Sequence, residues 1–362
     1  MKSNPVSAVI RKNIIDLTSK LIRFKTCKDN PSETEKIADF VSSYFSSKQF
    51  SVARFVKNKK HSLIITPRGV ANPKLLLLCH ADVVEAADKD FIPKQKGDWL
   101  FARGSSDMKS GLAIAMLLLK NNPDKKIGLM VTTDEEVGGV NGARMLAPKL
   151  APEFVVATEC SDLNIVVKEK GVLWIRMVAK GKSCHGSMPW KGINAADMLI
   201  DAYHELRKSI PQIKKESWHN TMSLGKICAG NSPNIVPDEA EMVLDIRYTE
   251  KSSIAKIEAI IKKVVKGKNI MVAALGKEQM MLNKKNDKNI AELGRCIALV
   301  TGRNPSLISE HGASDARFFS GRAACVMFGP SGKNFHAEKE CVNISSVVKS
   351  YSVLEEYVKE NC

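Results

Sequence analysis

Four short apolar runs, each followed within a few positions by polar or charged residues, dominate the hydrophobic pattern of the chain. Continuous apolar runs of this length are typical of strands that are buried on both faces, as in parallel sheets. Segments with the helical spacing of apolar residues alternate with these runs, which is the pattern of a βαβα arrangement. The sequence therefore predicts an α/β fold whose mostly parallel sheet carries helices on both faces. The runs are Leu75–Leu78, Lys126–Thr133, Phe154–Thr158 and Ala324–Gly329.

The hydrophobic pattern changes between the third and the fourth run. After Glu169, alternating apolar and polar residues predict half-exposed strands, and two segments with helical spacing interrupt them. The resulting order, β-α-β-β-α-β, is that of the split βαβ (ferredoxin-like) domain. We therefore expect residues 1–170 and 281–362 to form one domain, into which residues 171–280 are inserted. The predicted elements of the insert are strand Gly171–Lys180, helix Asn194–Lys208, strands Thr221–Ala229 and Glu239–Tyr248, helix Ser252–Lys266 and strand Asn269–Leu275.

Polar side chains follow the carboxyl ends of the buried runs, where open α/β sheets bind their ligands. Taken alone, a His-x-Asp pair is also typical of a surface histidine beside a capping aspartate, and a run of carboxylates is also typical of a solvated loop. Two histidines and three of the five carboxylates, without a thiolate, suit two divalent cations, most of all zinc, with one aspartate bridging them. The candidates are His80 and Asp82 after the first run, Asp107 before an apolar helix, Glu135 and Glu136 after the second run, Glu159 after the third and His336 after the fourth.

Five motifs carry a resemblance to a known family. HADV, ARGSSDMKSG, TTDEEVGG, ATEC and FHAEKECVN occur in the order and at the spacing of the co-catalytic zinc aminoacylase and carboxypeptidase family, which the chain resembles over essentially its whole length. The resemblance implies a di-metal site with two Zn²⁺, in whose place Co²⁺ or Mn²⁺ is possible. It implies these roles: His80 and Glu159 bind one metal, Glu136 and His336 bind the other, Asp107 bridges both, Asp82 orients His80, and Glu135 is the general base.

The same resemblance assigns roles to residues in and near the insert. It implies that His185 stabilises the oxyanion from across a homodimer formed through the insert, and that Asn234 touches substrate. Arg247 would pair with a substrate carboxylate, although a solvated cation on an edge strand is the alternative. Gly312 and Ser314 would contact the carboxylate side of the substrate at the start of a helix, where Ser314 could instead be the helix cap.

The resemblance also implies an activity. It implies hydrolysis of an N-acyl amino acid, and the segments GASDARFF and HAEKECVN are most similar to the desuccinylases. N-succinyl-L,L-diaminopimelate, a precursor of lysine, is therefore the leading substrate. Acetylornithine deacetylase, dipeptidase and glutamate-carboxypeptidase activities remain alternatives within the family. A non-enzymatic binding relative is disfavoured because such a protein is expected to lack the base or a ligand, and here the full set is present.

The composition indicates which classes of binding partner and which cellular compartment to expect. The formal net charge is +16, but the lysines are spread from end to end without a nucleic-acid-binding motif, so we expect no specific nucleic-acid partner. Nine cysteines form no CxxC pair, which is typical of reduced thiols in a cytoplasmic protein. The sequence begins without a signal-peptide pattern and holds no run of transmembrane length, so we expect no membrane association.

Overall fold

The computed structural model describes residues 5–212, 214–284 and 286–362. The first four residues of the N-terminal stretch, in which we expect no signal peptide, lie outside these ranges. The chain divides into two compact units. The first comprises Met1–Lys168, Met281–Ser309 and Ser314–Cys362, and the second comprises Glu169–Met280 and Glu310–Ala313.

Helices and strands alternate along the chain. In chain order the helices are α1 (Pro5–Ile22), α2 (Pro31–Tyr44), α3 (Ser110–Asn121), α4 (Ala143–Leu146), α5 (Ala195–Ser209), α6 (Lys251–Val265), α7 (Lys288–Thr301) and α8 (Ile344–Asn361). The strands are β1 (Phe50–Lys57), β2 (Lys60–Pro67), β3 (Leu75–His80), β4 (Lys94–Lys96), β5 (Trp99–Phe101), β6 (Ile127–Thr132), β7 (Phe154–Ala157), β8 (Ile165–Glu169), β9 (Gly171–Lys180), β10 (Cys184–His185), β11 (Thr221–Ala229), β12 (Ile235–Val236), β13 (Glu239–Tyr248), β14 (Ile270–Glu278), β15 (Met281–Leu282), β16 (Leu307–Glu310), β17 (Ala324–Met327), β18 (Gly332–Lys333) and β19 (Cys341–Asn343).

The four apolar runs form the parallel centre of the large sheet in the first unit. The strand order is β1-β2-β6-β3-β7-β17-β8-β15, and β16 pairs with β8. Strand β3 runs parallel to β6 and β7, and β17 runs parallel to β7. The flanking pairs β2–β6 and β17–β8 are antiparallel. The predicted α/β class with a parallel sheet is confirmed, and its parallel part is this central set of four strands.

Both faces of the large sheet are covered, and this explains why its central strands are apolar throughout. Leu75, Leu77 and Cys79 pack into the core that includes side chains of α1, α2, α3, α7 and α8. Leu76 and Leu78 point to the other face, against α4 and the short helical turn Asp315–Phe319. Burying each leucine contributes roughly 1.5–3 kcal/mol, so β3 is firmly held where it delivers His80 to the sheet edge.

A second, small sheet brings distant segments of the first unit together. Its strand order is β18-β19-β5-β4, and Cys341 pairs with Phe101 across the β19–β5 contact. The loop that follows β5 therefore lies beside the residues that precede β19. This contact places Glu340 next to the loop that carries Asp107.

The second unit is an α+β domain with the element order β9-α5-β11-β13-α6-β14, and it also contains the short pair β10–β12. Its four long strands form an antiparallel sheet in the order β11-β13-β9-β14. Along β13 the residues alternate, with Ala240, Met242, Leu244 and Ile246 buried. The predicted split βαβ pattern is confirmed. Among the described residues, no helix combines the length and the apolar character needed to cross a bilayer.

Candidate metal centre

His80 lies buried at the carboxyl end of β3, with both ring nitrogens engaged. Its Nδ1 lies 3.0 Å from the backbone oxygen of Asp82, and its Nε2 lies 2.9 Å from Oδ1 of Asp107. A backbone carbonyl on Nδ1 fixes the ring orientation and leaves Nε2 to face a ligand. Residue Asp82 therefore contacts His80 mainly through its main chain, since its carboxylate is 3.6 Å from Nδ1.

The carboxylate of Asp82 is directed to the acidic loop instead. Its Oδ1 accepts the backbone N–H of Glu135 at 3.3 Å, and its Oδ2 accepts the backbone N–H of Glu136 at 3.1 Å. Residue Asp134 holds the other end of the same loop, because its Oδ2 accepts the N–H groups of Asn141 and Gly142. These bonds fix the backbone from which both glutamates project.

Asp107 lies between the two histidines. One carboxylate oxygen faces His80, and the other lies 3.1 Å from Nε2 of His336. The same His336 nitrogen is 3.1 Å from Oε2 of Glu136. Ligand atoms of His80, Asp107 and Glu136 all lie within 4.8 Å of one another. Imidazole and carboxylate donors in this arrangement fit borderline divalent cations such as zinc, and a carboxylate with one oxygen on each side fits a bridging ligand.

Electrostatic coupling within the cluster is strong. Burial alone would raise the pKa of Asp107, but hydrogen bonds with His336 and His80 outweigh it and hold that pKa well below its usual range. Burial alone would lower the pKa of His80, yet its contacts with Asp107 and Asp82 raise the pKa well above its ordinary value. Contacts with Asp107 and Glu136 raise the pKa of His336 to about 10. Each imidazole is thus held by the negative charge that a bound cation would neutralise.

Glu135 occupies a different environment from its neighbour. Its side chain is 15% exposed, and Oε1 lies 4.0 Å from Nη1 of Arg317. Burial raises the pKa of Glu135 well above its ordinary value; the charge of His80 lowers it, and that of Glu159 raises it further. Glu159 lies just after β7, which pairs with β3 in the sheet. The group of ligand atoms within 4.8 Å of one another contains His80, Asp107 and Glu136 but not Glu159.

Arg317 and Asp315, which sequence reasoning did not single out, hold the acidic loop from the opposite side. Arg317 donates from Nη2 to the backbone oxygen of Gly138 at 2.9 Å. Thr132 donates to Oδ2 of Asp315 at 3.0 Å. The other oxygen, Oδ1 of Asp315, lies close to Gly139: a Cβ added to this glycine would be only 2.1 Å from it. Gly139 also has a positive φ of 67°. Arg317 and Asp315 lie in the GASDARFF segment, but no local pattern in the sequence shows that this segment contacts the acidic loop.

Glu340 is a third residue that supports the site and that sequence reasoning did not single out. The motif FHAEKECVN contains it, but its charge gave no indication of a role. Its carboxylate is buried and accepts hydrogen bonds from the loop that carries Asp107, from Gly104, Ser106 and Asp107 itself.

The second unit brings His185 and Asn234 together. His185 pairs with Ile235 between β10 and β12, and the backbone oxygen of Asn234 accepts the N–H of Gly186 at 2.7 Å. The exposed imidazole of His185 lies 2.8 Å from the hydroxyl of Ser187 through Nδ1, which leaves Nε2 facing away from this contact.

Arg247 already has a carboxylate partner within the second unit. Its Nε and Nη2 donate to the two oxygens of Asp245 at 2.7 and 2.9 Å. It lines a cavity of about 370 Å³ together with Lys170 and His311. Lys170 is buried and donates to the backbone oxygen of His219, and its pKa is lowered by burial and by the charge of Arg247. This cavity is rich in cationic side chains.

The two residues of the glycine-containing segment fall in different units. Gly312 belongs to the second unit, and Ser314 belongs to the first. Ser314 is buried, and its Oγ accepts the N–H of Ala316 at 3.3 Å, which is the capping geometry that we considered as the alternative.

Several known proteins are similar to this chain. Residues 76–360 match the family model for Peptidase family M20/M25/M40. A succinyl-diaminopimelate desuccinylase of Nautilia profundicola is 26% identical over 96% of this chain and 99% of its own length. A probable succinyl-diaminopimelate desuccinylase of Staphylococcus epidermidis is 33% identical over 56% of this chain, and the chain spans about half of that relative, 52%.

Solved structures share the fold across the whole chain. An M20 family metallo-carboxypeptidase of Sulfolobus solfataricus has a TM-score of 0.79 at 18% identity, with 96% of this chain and 98% of that chain covered. A Bacillus subtilis protein described as a dinuclear metal binding peptidase from the M20 family has a TM-score of 0.66 at 15% identity, with 97% and 98% covered.

Proposed function

Because the chain belongs to Peptidase family M20/M25/M40, a family of metal-dependent hydrolases, we propose that it cleaves the amide bond of an N-acyl amino acid with two bound Zn²⁺ ions. The observation that carries this proposal is the position of Asp107, whose two carboxylate oxygens face the two histidines separately. A dinuclear metal site in a relative of the same fold supports it.

The donor set suits two neighbouring cations that share Asp107. His80 and Glu159 would hold one ion, and Glu136 and His336 would hold the other. Two such ions supply a water of lowered pKa and a Lewis acid for the amide oxygen. The hydrogen bond from Nδ1 of His80 to the Asp82 carbonyl keeps Nε2 directed at this position.

Glu135 is the general base in this proposal. Burial raises its pKa well above that of an ordinary glutamate, which makes it a stronger base once it is ionised. Asp82 fixes its backbone, and Arg317 lies near its carboxylate. Glu135 would accept the proton of the attacking water and return it to the leaving amine.

The leading substrate is N-succinyl-L,L-diaminopimelate. Two relatives with desuccinylase names support it, one of them along its whole length. Hydrolysis of a dipeptide or a C-terminal peptide bond is the second candidate, which is supported by the carboxypeptidase with the same fold.

A substrate panel separates these candidates. The zinc-loaded protein is assayed with N-succinyl-diaminopimelate, N-acetylornithine and dipeptides, and kcat/KM is compared across the panel. We expect the highest value for the succinylated substrate. A highest value for a dipeptide would assign the chain to the peptidases, and inactivity toward every amide in the panel would contradict the proposed hydrolase activity.

The protein would act as a homodimer formed through the second unit. Within the described chain, β11 and β14 are the outer strands of its sheet. Strand β14 exposes Met271 and Leu275, and an exposed apolar edge is a ready pairing surface for a second copy. In this arrangement His185 of one protomer would serve the metal centre of its partner and stabilise the oxyanion.

A further inference from the structure

Glu340 is a buried carboxylate with an unusually complete set of donors. It is 2% exposed. Its Oε2 accepts from Nη1 of Arg103 at 2.6 Å and from the N–H of Gly104 at 2.9 Å. Its Oε1 accepts from the N–H and the hydroxyl of Ser106 at 2.9 and 3.0 Å and from the N–H of Asp107 at 3.1 Å. A buried charge of this kind persists only where it is paired and hydrogen-bonded, and both conditions are met here.

The five donors belong to one short loop. Arg103, Gly104, Ser106 and Asp107 follow β5 and precede α3. Three of the donors are backbone N–H groups that converge on one anion, so the carboxylate fixes the path of the main chain rather than a single side chain. The last of them is the N–H of Asp107. The position from which the Asp107 carboxylate projects therefore depends on Glu340.

Glu340 also lies on the segment that carries the second histidine. His336 precedes it by four positions. Arg103, which pairs with Glu340, also donates from Nη2 to the backbone oxygen of Ala337 at 3.3 Å, next to His336. One ion pair thus ties the loop of Asp107 to the turn of His336, and Asp107 and His336 are themselves in contact.

We propose that Glu340 is a positioning residue for the metal centre, which sets the separation of Asp107 and His336 at which both bind cations. This inference rests on the proposed function, in which these two side chains are metal ligands. Groups that orient metal ligands typically contribute about 10- to 100-fold in metal affinity or activity. Glu340 touches neither metal nor substrate in this account and acts through the two ligands.

The test replaces Glu340 without changing its size. In Glu340→Gln the charge is lost, and the amide NH₂ group must face a donor on one side of the loop. Dissociation constants for Co²⁺ and Zn²⁺ are measured by calorimetry on the metal-free full chain, and the visible spectrum of the Co²⁺ form reports the coordination geometry. We expect affinity to fall about 10- to 100-fold for at least one metal equivalent, with an altered Co²⁺ spectrum. The value of kcat is expected to fall more than KM changes.

Asp98→Asn is the matched control. Asp98 is a carboxylate that anchors the same C-terminal segment, through Asn343 and Ser345, and also pairs with Arg11. This variant is expected to lower the Tm of the metal-free protein while leaving the metal affinities and the Co²⁺ spectrum unchanged. A Tm loss alone therefore reports a structural role, and a change in metal binding reports positioning.

The outcomes are distinguishable. If Glu340→Gln binds both metals and shows the Co²⁺ spectrum as the wild type does, the positioning role is refuted. If the wild type itself binds no metal, the proposed function fails independently of Glu340. If Glu340→Gln does not fold, Arg103→Lys replaces it, because this variant keeps the positive charge but cannot hold Glu340 and the Ala337 carbonyl together. Unchanged metal affinity and an unchanged Co²⁺ spectrum in Arg103→Lys would then refute the proposal.

Discussion

Oδ2 of Asp107 lies 3.1 Å from Nε2 of His336, although 229 positions separate the two residues. The β19–β5 pairing makes this contact possible, because it holds the segment after His336 against the segment before Asp107. An imidazole at this distance from a carboxylate carries a raised pKa, about 10 for His336. In the proposed function, a cation at this position would be bound by both side chains.

The first prediction is the metal content. We expect about two equivalents of Zn²⁺ per chain after reconstitution, because Asp107 presents one carboxylate oxygen to each of the two candidate histidine ligands. Elemental analysis of the reconstituted protein measures this. Exhaustive chelation should abolish hydrolysis, and re-addition of Zn²⁺, Co²⁺ or Mn²⁺ should restore it. Fewer than one equivalent, or full activity after chelation, would refute the di-metal site.

The second prediction concerns Glu135. Glu135→Gln keeps the size of the side chain and removes its basicity, so kcat should fall by at least about 10²-fold, in the range typical of general-base removal. Metal content should stay at the wild-type level, because Glu136 rather than Glu135 contacts His336. The exposed Glu338 provides the control, and Glu338→Gln should retain activity. A Glu135→Gln enzyme with near-wild-type turnover would place the base elsewhere.

The third prediction concerns assembly. His185 lies in the second unit, and the candidate metal ligands lie in the first. If His185 acts in a partner's site, mixing His185→Ala with Glu135→Gln should restore partial activity, because one site of the heterodimer receives both native residues. Subunit exchange is checked with differently tagged chains. Exchange without recovery of activity, or a monomer at working concentration, would contradict action across the interface.

The fourth prediction is a pH dependence of stability. Burial raises the pKa of Asp315 to about 6, with Arg317 opposing and Asp134 adding to the effect. Below pH ~4 the carboxyl is protonated in both states. As the pH rises towards ~6 the unfolded chain releases this proton first, so the contribution of Asp315 to the free energy of unfolding falls across this window and then stays constant.

Asp315→Asn should remove this pH-dependent loss of the free energy of unfolding. Relative to wild type, the free energy of unfolding of the metal-free variant should rise between pH ~4 and ~6 by up to about 3 kcal/mol, because a tenfold difference in proton affinity between the folded and unfolded states corresponds to about 1.4 kcal/mol. Urea titrations at several pH values in the presence of a chelator measure it. Asp98→Asn should show the opposite sign at lower pH, because hydrogen bonds from Arg11 and Ser345 outweigh burial and lower the pKa of Asp98. A difference for Asp315→Asn that is independent of pH would contradict the prediction.

The hydrophobic pattern alone predicts the strands and the strand ends at which polar residues gather. Leu75–Leu78 predicts a strand covered on both faces, and the alternation in Glu239–Tyr248 predicts a sheet covered on one face, because side-chain periodicity reports burial directly. Since parallel strands end at a common edge, the same pattern predicts that polar residues such as His80 and Glu136 come together.

The contacts that hold those residues in place are visible only in the folded chain. The Asp82 carboxylate accepts the backbone N–H groups of Glu135 and Glu136, a contact that the sequence pattern did not predict, while its backbone oxygen holds Nδ1 of His80. Glu340 organises the loop of Asp107 from 233 positions away. Such contacts depend on which segments pair and on the direction in which each side chain leaves the backbone. Neither leaves a local periodicity in the chain, so a glutamate in the tail of the sequence is indistinguishable from a solvated one until β19 is paired with β5.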